Sequence, residues 1–282
     1  MDFLERLLSR LPEAPAPVRG LLIGPYWTAV RTDAGTGLAT TLLEAGPAHG
    51  EHAQRLAGAG DWVGRDAREL AAGVSSDFPL ARSVGLAALN ALLSEPSGRV
   101  TERNAGDLAA EKGAGKTIGV VGWFPFIPQL RQIAARVEIF EKDPETGFAL
   151  TEERAARLAQ CDGLCLTASA LLNRTLDGIL RAARPEAWKL LVGPSAPLCR
   201  EALDLGFSAV CGARVADAAA VVRVIQEGGC FQQIRRSGGV AESSAGAAGF
   251  SAASSADASA FRFRFSSFFC FLASSLCRLA NA

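Results

Sequence analysis

The chain has few of the side chains that most often transfer protons in enzymes. Its 282 residues include two histidines and one tyrosine. Both histidines, His49 and His52, lie outside the later segment in which strands and helices alternate. A Ser-His-Asp triad therefore lacks a credible histidine, and a nucleophilic cysteine lacks a histidine partner. These scarcities argue against the common forms of nucleophilic catalysis.

An excess of charge of one sign is also missing. Lys+Arg and Asp+Glu are both 29, so the formal net charge is zero. This balance argues against a broad basic surface for nucleic acid or anionic lipid, and we expect no nucleic-acid partner. Early segments lack the ~18–20 uninterrupted apolar residues of a membrane helix, and Met1–Leu8 lacks the basic start of a signal peptide. We expect no membrane span and a cytoplasmic protein.

Cysteine pairs of the CxxC type are absent as well. The seven cysteines are an odd number, and Cys165 and Cys211 fall in predicted strands. This pattern is typical of reduced thiols in the core of a cytoplasmic protein. Cys161 and Cys165 lack the second half of a zinc site. A metal site built from cysteines alone is therefore disfavoured.

Two short motifs resemble ligand sites only weakly. Gly113–Thr117 resembles the end of a phosphate-binding P-loop, but Ala110 replaces the required first glycine, and the segment precedes a strand. His49 and His52, with acids nearby, are compatible with a surface metal site, although an exposed histidine pair is more often incidental. We interpret the first motif as a chance match and leave the second open.

Residues 1–100 have the pattern of a small α+β domain. Three strand-like runs separated by turn residues predict an antiparallel meander. Apolar spacing predicts helices before and after the meander. The predicted helices are 2–11, 67–72 and 80–93, and the predicted strands are 18–23, 27–32 and 38–43.

Regular alternation of strands and helices follows from Ile118. Residues 99–116 fit either a linker or a helix, and the alternation predicts a Rossmann-like parallel sheet within a domain spanning 101–236. The predicted strands are 118–121, 137–141, 163–167, 189–192 and 209–211; the predicted helices are 127–135, 151–159, 173–183, 197–205 and 216–227.

Residues 237–282 differ abruptly in composition. Serine and alanine dominate, and a Phe-rich stretch follows. We predict a disordered, low-complexity tail, with an amphipathic surface anchor or a shifted reading frame in the gene as alternatives. The predicted fold class is thus α/β, with a Rossmann-like parallel-sheet domain preceded by a smaller α+β domain and followed by this tail.

The turn after the first strand of the alternating segment is the most informative motif. Ile118–Val121 leads into Gly122, and Trp123–Pro128 follows with three aromatic residues and two prolines. A dinucleotide-binding domain has glycines at this turn, which let a pyrophosphate approach the backbone. The bulky, rigid turn indicates a Rossmann-like domain that does not bind NAD in the ordinary way.

With these elements placed, the chain resembles a bacterial and archaeal family of two-domain proteins. Its C-terminal module is called the putative heavy-metal chelation domain. The resemblance spans roughly residues 18–230 in the expected order and is carried by five segments. They are 24–41 with its Trp-Thr-Ala-Val, 84–91 (Val-Gly-Leu-Ala-Ala-Leu-Asn-Ala), 122–126 (Gly-Trp-Phe-Pro-Phe), 167–175 (Thr-Ala-Ser-Ala-Leu-Leu-Asn-Arg-Thr) and 193–198 (Gly-Pro-Ser-Ala-Pro-Leu).

The resemblance implies an enolase-N-terminal-like domain before the Rossmann-like domain, with a cleft between the two. It also implies a role close to the handling of transition metals or metal chelates. The cofactor stays unknown at this point, with a transition-metal ion or a metal chelate as the candidate.

Three loops are expected to meet at the carboxyl ends of the parallel strands, where such sheets bind ligands. They are 122–126, 167–175 and 193–197. Trp123 and Phe124 would form an apolar wall of the site. Thr167 and Ser169 would bind polar groups, although hydroxyls at strand ends often serve local turns.

Two further residues of these loops have both a structural and a functional interpretation. Asn173 is suited to an N-cap, and Ser195 is suited to capping a helix that starts near Pro197. The backbone amides beside Ser195 would also suit an anion. We therefore retain both residues as candidates.

Glu141 is the best candidate acid, since it ends the second strand of the alternating segment. An acid at that position binds ribose hydroxyls in nucleotide-binding relatives of the fold. It is equally suited to a general base, a metal ligand or a solvated strand end. We name Glu141 and Asn173 as the candidate catalytic residues.

These observations favour binding of a small anionic or metal-chelate ligand in the expected cleft between the two domains, with the question of catalysis left open. One alternative is an enzyme that uses a nucleoside-containing cofactor such as S-adenosylmethionine, with Glu141 on the ribose. Another is a scaffold or assembly protein. A homo-oligomer is compatible with all three.

Overall fold

The computed structural model describes residues 2–43, 56–93, 101–141 and 148–246. Contacts within the chain divide these residues between two compact units. The first comprises the described residues of Met1–Glu95 together with Pro194–Cys199 and Ala213–Ala241, and the second comprises the remainder. The chain therefore enters the first unit three times.

The first unit contains a three-stranded antiparallel sheet in the order β1-β2-β3, which confirms the predicted meander. Strands β1 and β2 have the predicted bounds, and β3 begins two residues earlier than predicted. The elements are α1 Phe3–Leu8, β1 Val18–Ile23, β2 Trp27–Thr32, β3 Thr36–Thr40, α2 Ala67–Ala71, a 3-10 helix Ala72–Ser75, α3 Pro79–Leu92, α10 Ala218–Gln226 and α11 Phe231–Arg236.

Both faces of strand β2 are buried. Helix α3 packs against β2 and β3. Trp27 and Ala29 of β2 pack with Val221 and Ile225 of α10, and the rings of Trp27 and Phe231 lie 5.3 Å apart. The predicted second domain, 101–236, included the residues of α10 and α11, whereas the apolar side chains of both helices pack in the core of the first unit.

The main sheet has six strands in the order β5-β4-β6-β7-β8-β9. The pairs β4–β5, β4–β6, β6–β7 and β7–β8 are parallel, which confirms the predicted α/β fold class. The strands are β4 Thr117–Val121, β5 Arg136–Phe140, β6 Gly163–Thr167, β7 Trp188–Val192, β8 Ala209–Val215 and β9 Val240–Gly246; the remaining helices are α4 Ala105–Gly113, α5 Ile127–Ile133, α6 Glu152–Leu158, α7 Ser169–Leu172, α8 Leu176–Ala182 and α9 Arg200–Asp204.

Helix α4 resolves the two interpretations of residues 99–116. The Asn104 side chain caps it by accepting from the Asp107 N–H at 2.9 Å, and Leu108 and Ala109 belong to the core of the second unit. Burial of this apolar face stabilises a helix that is too short to persist alone. The segment is therefore a core helix as well as a connection.

The C-terminal segment corrects one prediction. Strand β9 is part of the main sheet, and its Ser243 and Ser244 are 3% exposed. The tail predicted from residue 237 is therefore wrong as far as residue 246. This strand consists mostly of small residues, so its sequence has no alternation of large apolar side chains that would reveal a strand. Residues 247–282, with the predicted Phe-rich anchor, lie outside the described residues.

None of the helices in the described part of the chain combines the length and apolar character that crossing a membrane requires.

Candidate functional site

The sheet reverses its strand order between β4 and β6. The chain passes from β4 to β5 on one side, and β6 then pairs on the other side of β4. Crossover connections on either side of such a point leave a crevice at the carboxyl ends of the two strands, where open α/β sheets bind their ligands. We call this place the switch point, defined by Gly122 after β4 and Thr167 at the end of β6.

Close backbone packing brings the predicted loops together at this edge. A Cβ added to Gly122 would lie 3.1 Å from the Thr167 Cβ, and one added to Gly193 would lie 3.4 Å from the Ala168 Cβ. Gly122 also has a φ of 99°, a conformation that other residues rarely adopt. The loops that follow β4, β6 and β7 are therefore adjacent.

The two aromatic side chains that follow Gly122 differ in exposure. Trp123 is 48% exposed, whereas Phe124 is 4% exposed. Phe124 stacks on Phe126 with ring centroids 5.1 Å apart, and both rings belong to the core. The structure thus leaves Trp123 at the edge and corrects the view of Phe124 as an open wall, because Phe124 fills the core instead.

The loop after β6 carries the polar groups that the sequence indicated. The Thr167 Oγ1 accepts from the Ser169 N–H at 3.3 Å, so this hydroxyl holds the turn as well as facing the switch point. Asn173 follows α7 and is exposed. The prediction of an N-cap role for Asn173 is wrong, because the residue ends α7 and its N–H donates to the Ser169 carbonyl at 3.0 Å.

Ser195 has an unexpected partner in the first unit. Its Oγ accepts from the Thr40 N–H at 2.9 Å, and its carbonyl accepts from the Asn90 Nδ2 at 3.0 Å. Helix α9 begins only at Arg200. The predicted position of Ser195 at a helix start is therefore wrong, and its 2% exposure reflects packing beside β3. Its part in ligand binding stays a prediction.

Ser195→Ala is expected to lower the free energy of unfolding by about 1–2 kcal/mol, because it leaves the Thr40 N–H without its acceptor. Urea denaturation of the full chain measures this change. Ser9→Ala, which removes an exposed hydroxyl, serves as the control and should change stability by less than about 0.5 kcal/mol. Equal effects of the two substitutions would contradict the assignment.

Two acids on or beside β5 have different environments. Glu141 is exposed just after the strand, where its backbone carbonyl accepts from the Arg154 Nη2 at 3.2 Å. Glu138 is 7% exposed and forms ion pairs with Arg157 and Arg136. The hydrogen bond from Arg157 lowers the pKa of the Glu138 carboxyl. Sequence reasoning missed Glu138, since its arginine partner in α6 lies on another element.

Asp107 is a second acid that the sequence analysis did not single out. Its carboxylate accepts from the Asn104 Nδ2 at 2.6 Å, in the first turn of α4. Burial raises its pKa, although Arg103 and Asn104 act in the opposite direction. A Cβ on the neighbouring Gly106 would lie 2.9 Å from the Phe126 Cβ. The start of α4 is therefore beside the loop that follows β4.

Two cysteines of the second unit, Cys165 and Cys211, belong to its hydrophobic core. Burial raises the pKa of Cys211 to about 12 and moves that of Cys165 in the same direction. Both thiols are therefore protonated at neutral pH and offer no thiolate to a metal. Among the described residues, no three His, Cys, Asp or Glu side chains form a group suited to a metal ion. His49 and His52 lie outside the described residues.

The two sheets define a two-unit α/β protein with a Rossmann-like main sheet. Family models described as "putative heavy-metal chelation" match residues 4–93 and residues 104–242. The chain belongs to this family, as its motifs indicated.

Solved structures show the same fold. A protein of unknown function from the DUF364 family of Desulfitobacterium hafniense is 24% identical, with a TM-score of 0.69, and the match covers 86% of this chain and 96% of that one. A DUF364-family protein of unknown function from Pyrococcus horikoshii is 20% identical, with a TM-score of 0.67, covering 86% and 99%. No curated protein matches significantly.

Proposed function

We propose that the chain binds a small anionic ligand, free or as a metal chelate, at the switch point of its main sheet. The observation that carries this proposal is the close approach of Gly122 to Thr167, where the strand order reverses. Ligand binding at such a position is the general behaviour of open α/β sheets. The family description supports a metal as part of the cargo.

The donor groups at this edge fit the organic part of a chelate better than a bare soft metal ion. Thr167, Ser169 and Asn173 supply neutral hydroxyl and amide groups, which donate hydrogen bonds to anionic oxygens. Soft metal ions prefer thiolate or imidazole ligands, whereas Cys165 and Cys211 are buried and protonated. Trp123 adds an exposed apolar surface. In this proposal the metal arrives already held by its own ligand.

The turn after β4 disfavours the alternative of a nucleotide cofactor. Pro125 and Pro128 have no N–H, and the Ile127 N–H donates to the Phe124 carbonyl at 3.1 Å. The two prolines and this hydrogen bond therefore remove backbone donors that a pyrophosphate at this turn would use. Glu141 keeps the position of a ribose-binding acid, so nucleotides belong in the test.

Thermal unfolding of the full chain tests the proposal, with nickel(II), zinc(II), citrate, the two metal–citrate complexes, ATP and S-adenosylmethionine each added separately. We expect citrate or its complexes to raise the midpoint, because a ligand at 100 times its Kd stabilises the folded state by about 2.7 kcal/mol. Asn173→Ala should abolish most of the rise. Gln226→Ala, an exposed amide on α10, is the matched control and should leave it unchanged.

The other outcomes decide against the proposal in different ways. A rise with nucleotides alone, lost in Glu141→Ala, would favour an enzyme with a nucleoside cofactor. A rise with the bare metal ions alone would replace the chelate by a metal site. The absence of any rise would leave a scaffold role as the better account.

A further inference from the structure

Arg103, which lies just before α4, has a guanidinium that is only partly paired. Its Nη2 donates to the Glu111 Oε2 at 2.5 Å. Its Nη1 is buried and has no hydrogen-bond partner among the residues that the structure describes. A buried N–H of a charged group has lost its hydration, so leaving it unpaired is costly. Such a group in a folded protein calls for a partner that the chain does not supply, such as a water or an ion.

The acids around Arg103 are engaged elsewhere. The Asp107 carboxylate accepts from the Asn104 Nδ2 at 2.6 Å, and the second oxygen of Glu111 lies 3.2 Å from the Lys112 Nζ. Burial raises the pKa of Asp107, and the positive charge of Arg103 opposes this rise. The two side chains of Arg103 and Asp107 therefore attract each other, yet the open Nη1 is left without an acceptor.

The guanidinium of Arg103 lies at the border between core and surface. Burial raises the pKa of the Cys211 thiol and the charge of Arg103 opposes this, which places the guanidinium near Cys211 of the core. The Arg103 side chain is nevertheless 26% exposed. A small molecule can therefore approach the guanidinium from the surface, whereas a macromolecule has no access to the buried Nη1.

The local charges limit what Nη1 would bind. Two are positive and two are negative, and they belong to Arg103, Lys112, Asp107 and Glu111. An anion with several charges would be repelled by the two acids without an excess of positive charge to attract it. A guanidinium forms charge-assisted hydrogen bonds with a carboxylate, and one carboxylate suffices for one open nitrogen.

We propose that Arg103 binds a small monocarboxylate through its Nη1, at a site beside the first turn of α4. Glu111 holds Nη2 and thereby orients the guanidinium, which leaves Nη1 to the ligand. None of the switch-point residues takes part, so this site is tested independently of the proposed function.

Thermal unfolding of the full chain in sodium acetate, compared with sodium chloride at the same concentration, tests this site. Acetate at several times its Kd should raise the wild-type midpoint by roughly 2–4 °C, because it binds only the folded state. Arg103→Met, which keeps an unbranched side chain without the charge, should remove the rise. Arg131→Gln removes an exposed arginine from α5 and should leave it unchanged.

Two further variants keep the test decisive. Glu111→Gln releases Nη2 and removes a neighbouring negative charge, so the acetate dependence of the midpoint should show at least about threefold tighter binding. An arginine that served only to pair with Glu111 would gain nothing from this change. Arg103→Lys keeps the charge without the planar fork and should show weaker binding than wild type.

Four outcomes would count against the site. Equal wild-type midpoints in acetate and chloride would overturn it, and a rise that persists in Arg103→Met would reveal a general effect of the salt. A rise that is kept in Arg103→Met but lost in Asn173→Ala would place acetate at the switch point instead. A larger rise with sodium phosphate, also lost in Arg103→Met, would overturn the assignment of a monocarboxylate.

Discussion

Gly37→Ala is expected to lower the free energy of unfolding by about 3 kcal/mol, at the upper end of the usual cost of overpacking a core. A Cβ at this position of β3 would lie 2.1 Å from the Ala87 carbonyl oxygen and 2.3 Å from the Ala91 nitrogen. Both atoms are backbone of α3, so no side-chain rotation relieves the clash. The helix would have to move away from the sheet and lose packing along its length.

Gly20→Ala in β1 provides a matched control. Its Cβ would meet only the Arg31 side chain, at 3.9 Å for the Cδ, which is ordinary contact. Alanine also has less backbone freedom to lose on folding than glycine, so this variant should be neutral or slightly stabilised. Urea denaturation of both variants measures the difference. Equal stabilities would show that α3 does not approach β3 as closely as described.

Glu138→Gln is expected to lower the free energy of unfolding by about 2 kcal/mol at neutral pH. The carboxylate is 7% exposed, and it accepts from the Arg157 Nε at 3.0 Å as well as pairing with Arg136. Removing one partner of a buried ion pair leaves the other without compensation. The effect falls below the usual ~3–5 kcal/mol, because the partly exposed arginines regain water.

The loss of stability caused by Glu138→Gln is expected to be smaller at low pH than at neutral pH. The arginines lower the pKa of Glu138 in the folded state. Its contribution is therefore complete above the unfolded pKa of about 4.3 and is lost as the pH falls through the lower folded value. The stability difference between wild type and Glu138→Gln should shrink between pH 7 and pH 3.

Glu153→Gln is the control for this prediction, because Glu153 faces the same Arg157. That pair is 3.8 Å long, and the Glu153 side chain is 81% exposed. Exposed pairs of this kind contribute less than about 1 kcal/mol. Denaturation at both pH values compares the two variants. If both substitutions lower the free energy of unfolding equally, burial of the Glu138 carboxylate is not the reason for its larger effect.

Several elements were predictable because their signals are local. The bounds of β1, β2 and β6 agree with the prediction to the residue, since each is a short apolar or alternating run between turn residues. The predicted helix 173–183 corresponds to α8, which begins at Leu176, and the short helix α7 before it was not predicted. Arg174 lies between the two helices in a left-handed conformation, so the segment 169–182 holds an interrupted helix where one continuous helix was predicted to start at 173. Nothing in the composition of that segment distinguishes an interrupted helix from a continuous one.

In the candidate site, too, the local features were predictable from the sequence and the contacts between distant residues were not. The adjacency of the loops at the carboxyl edge was predictable from the order of strands and helices, whereas the roles of Thr167, Ser169 and Asn173 in ligand binding stay predictions. The partners of Ser195 were not, because Thr40 lies 155 positions away and Asn90 lies 105 positions away. The sequence predicts that Phe124 forms an apolar wall of the site, yet its ring stacks on Phe126 and belongs to the core.

Apolar periodicity and turn residues alone specify the α/β class, most strands and the loops in which a ligand is expected, because these depend on neighbours in the chain. The folded chain alone decides which side chains those loops expose, which acids are paired and which later segments of the chain complete the first unit. These properties arise from contacts between distant segments. Burial and partners acquired on folding set the pKa values of Glu138 and Asp107, and no local pattern encodes them.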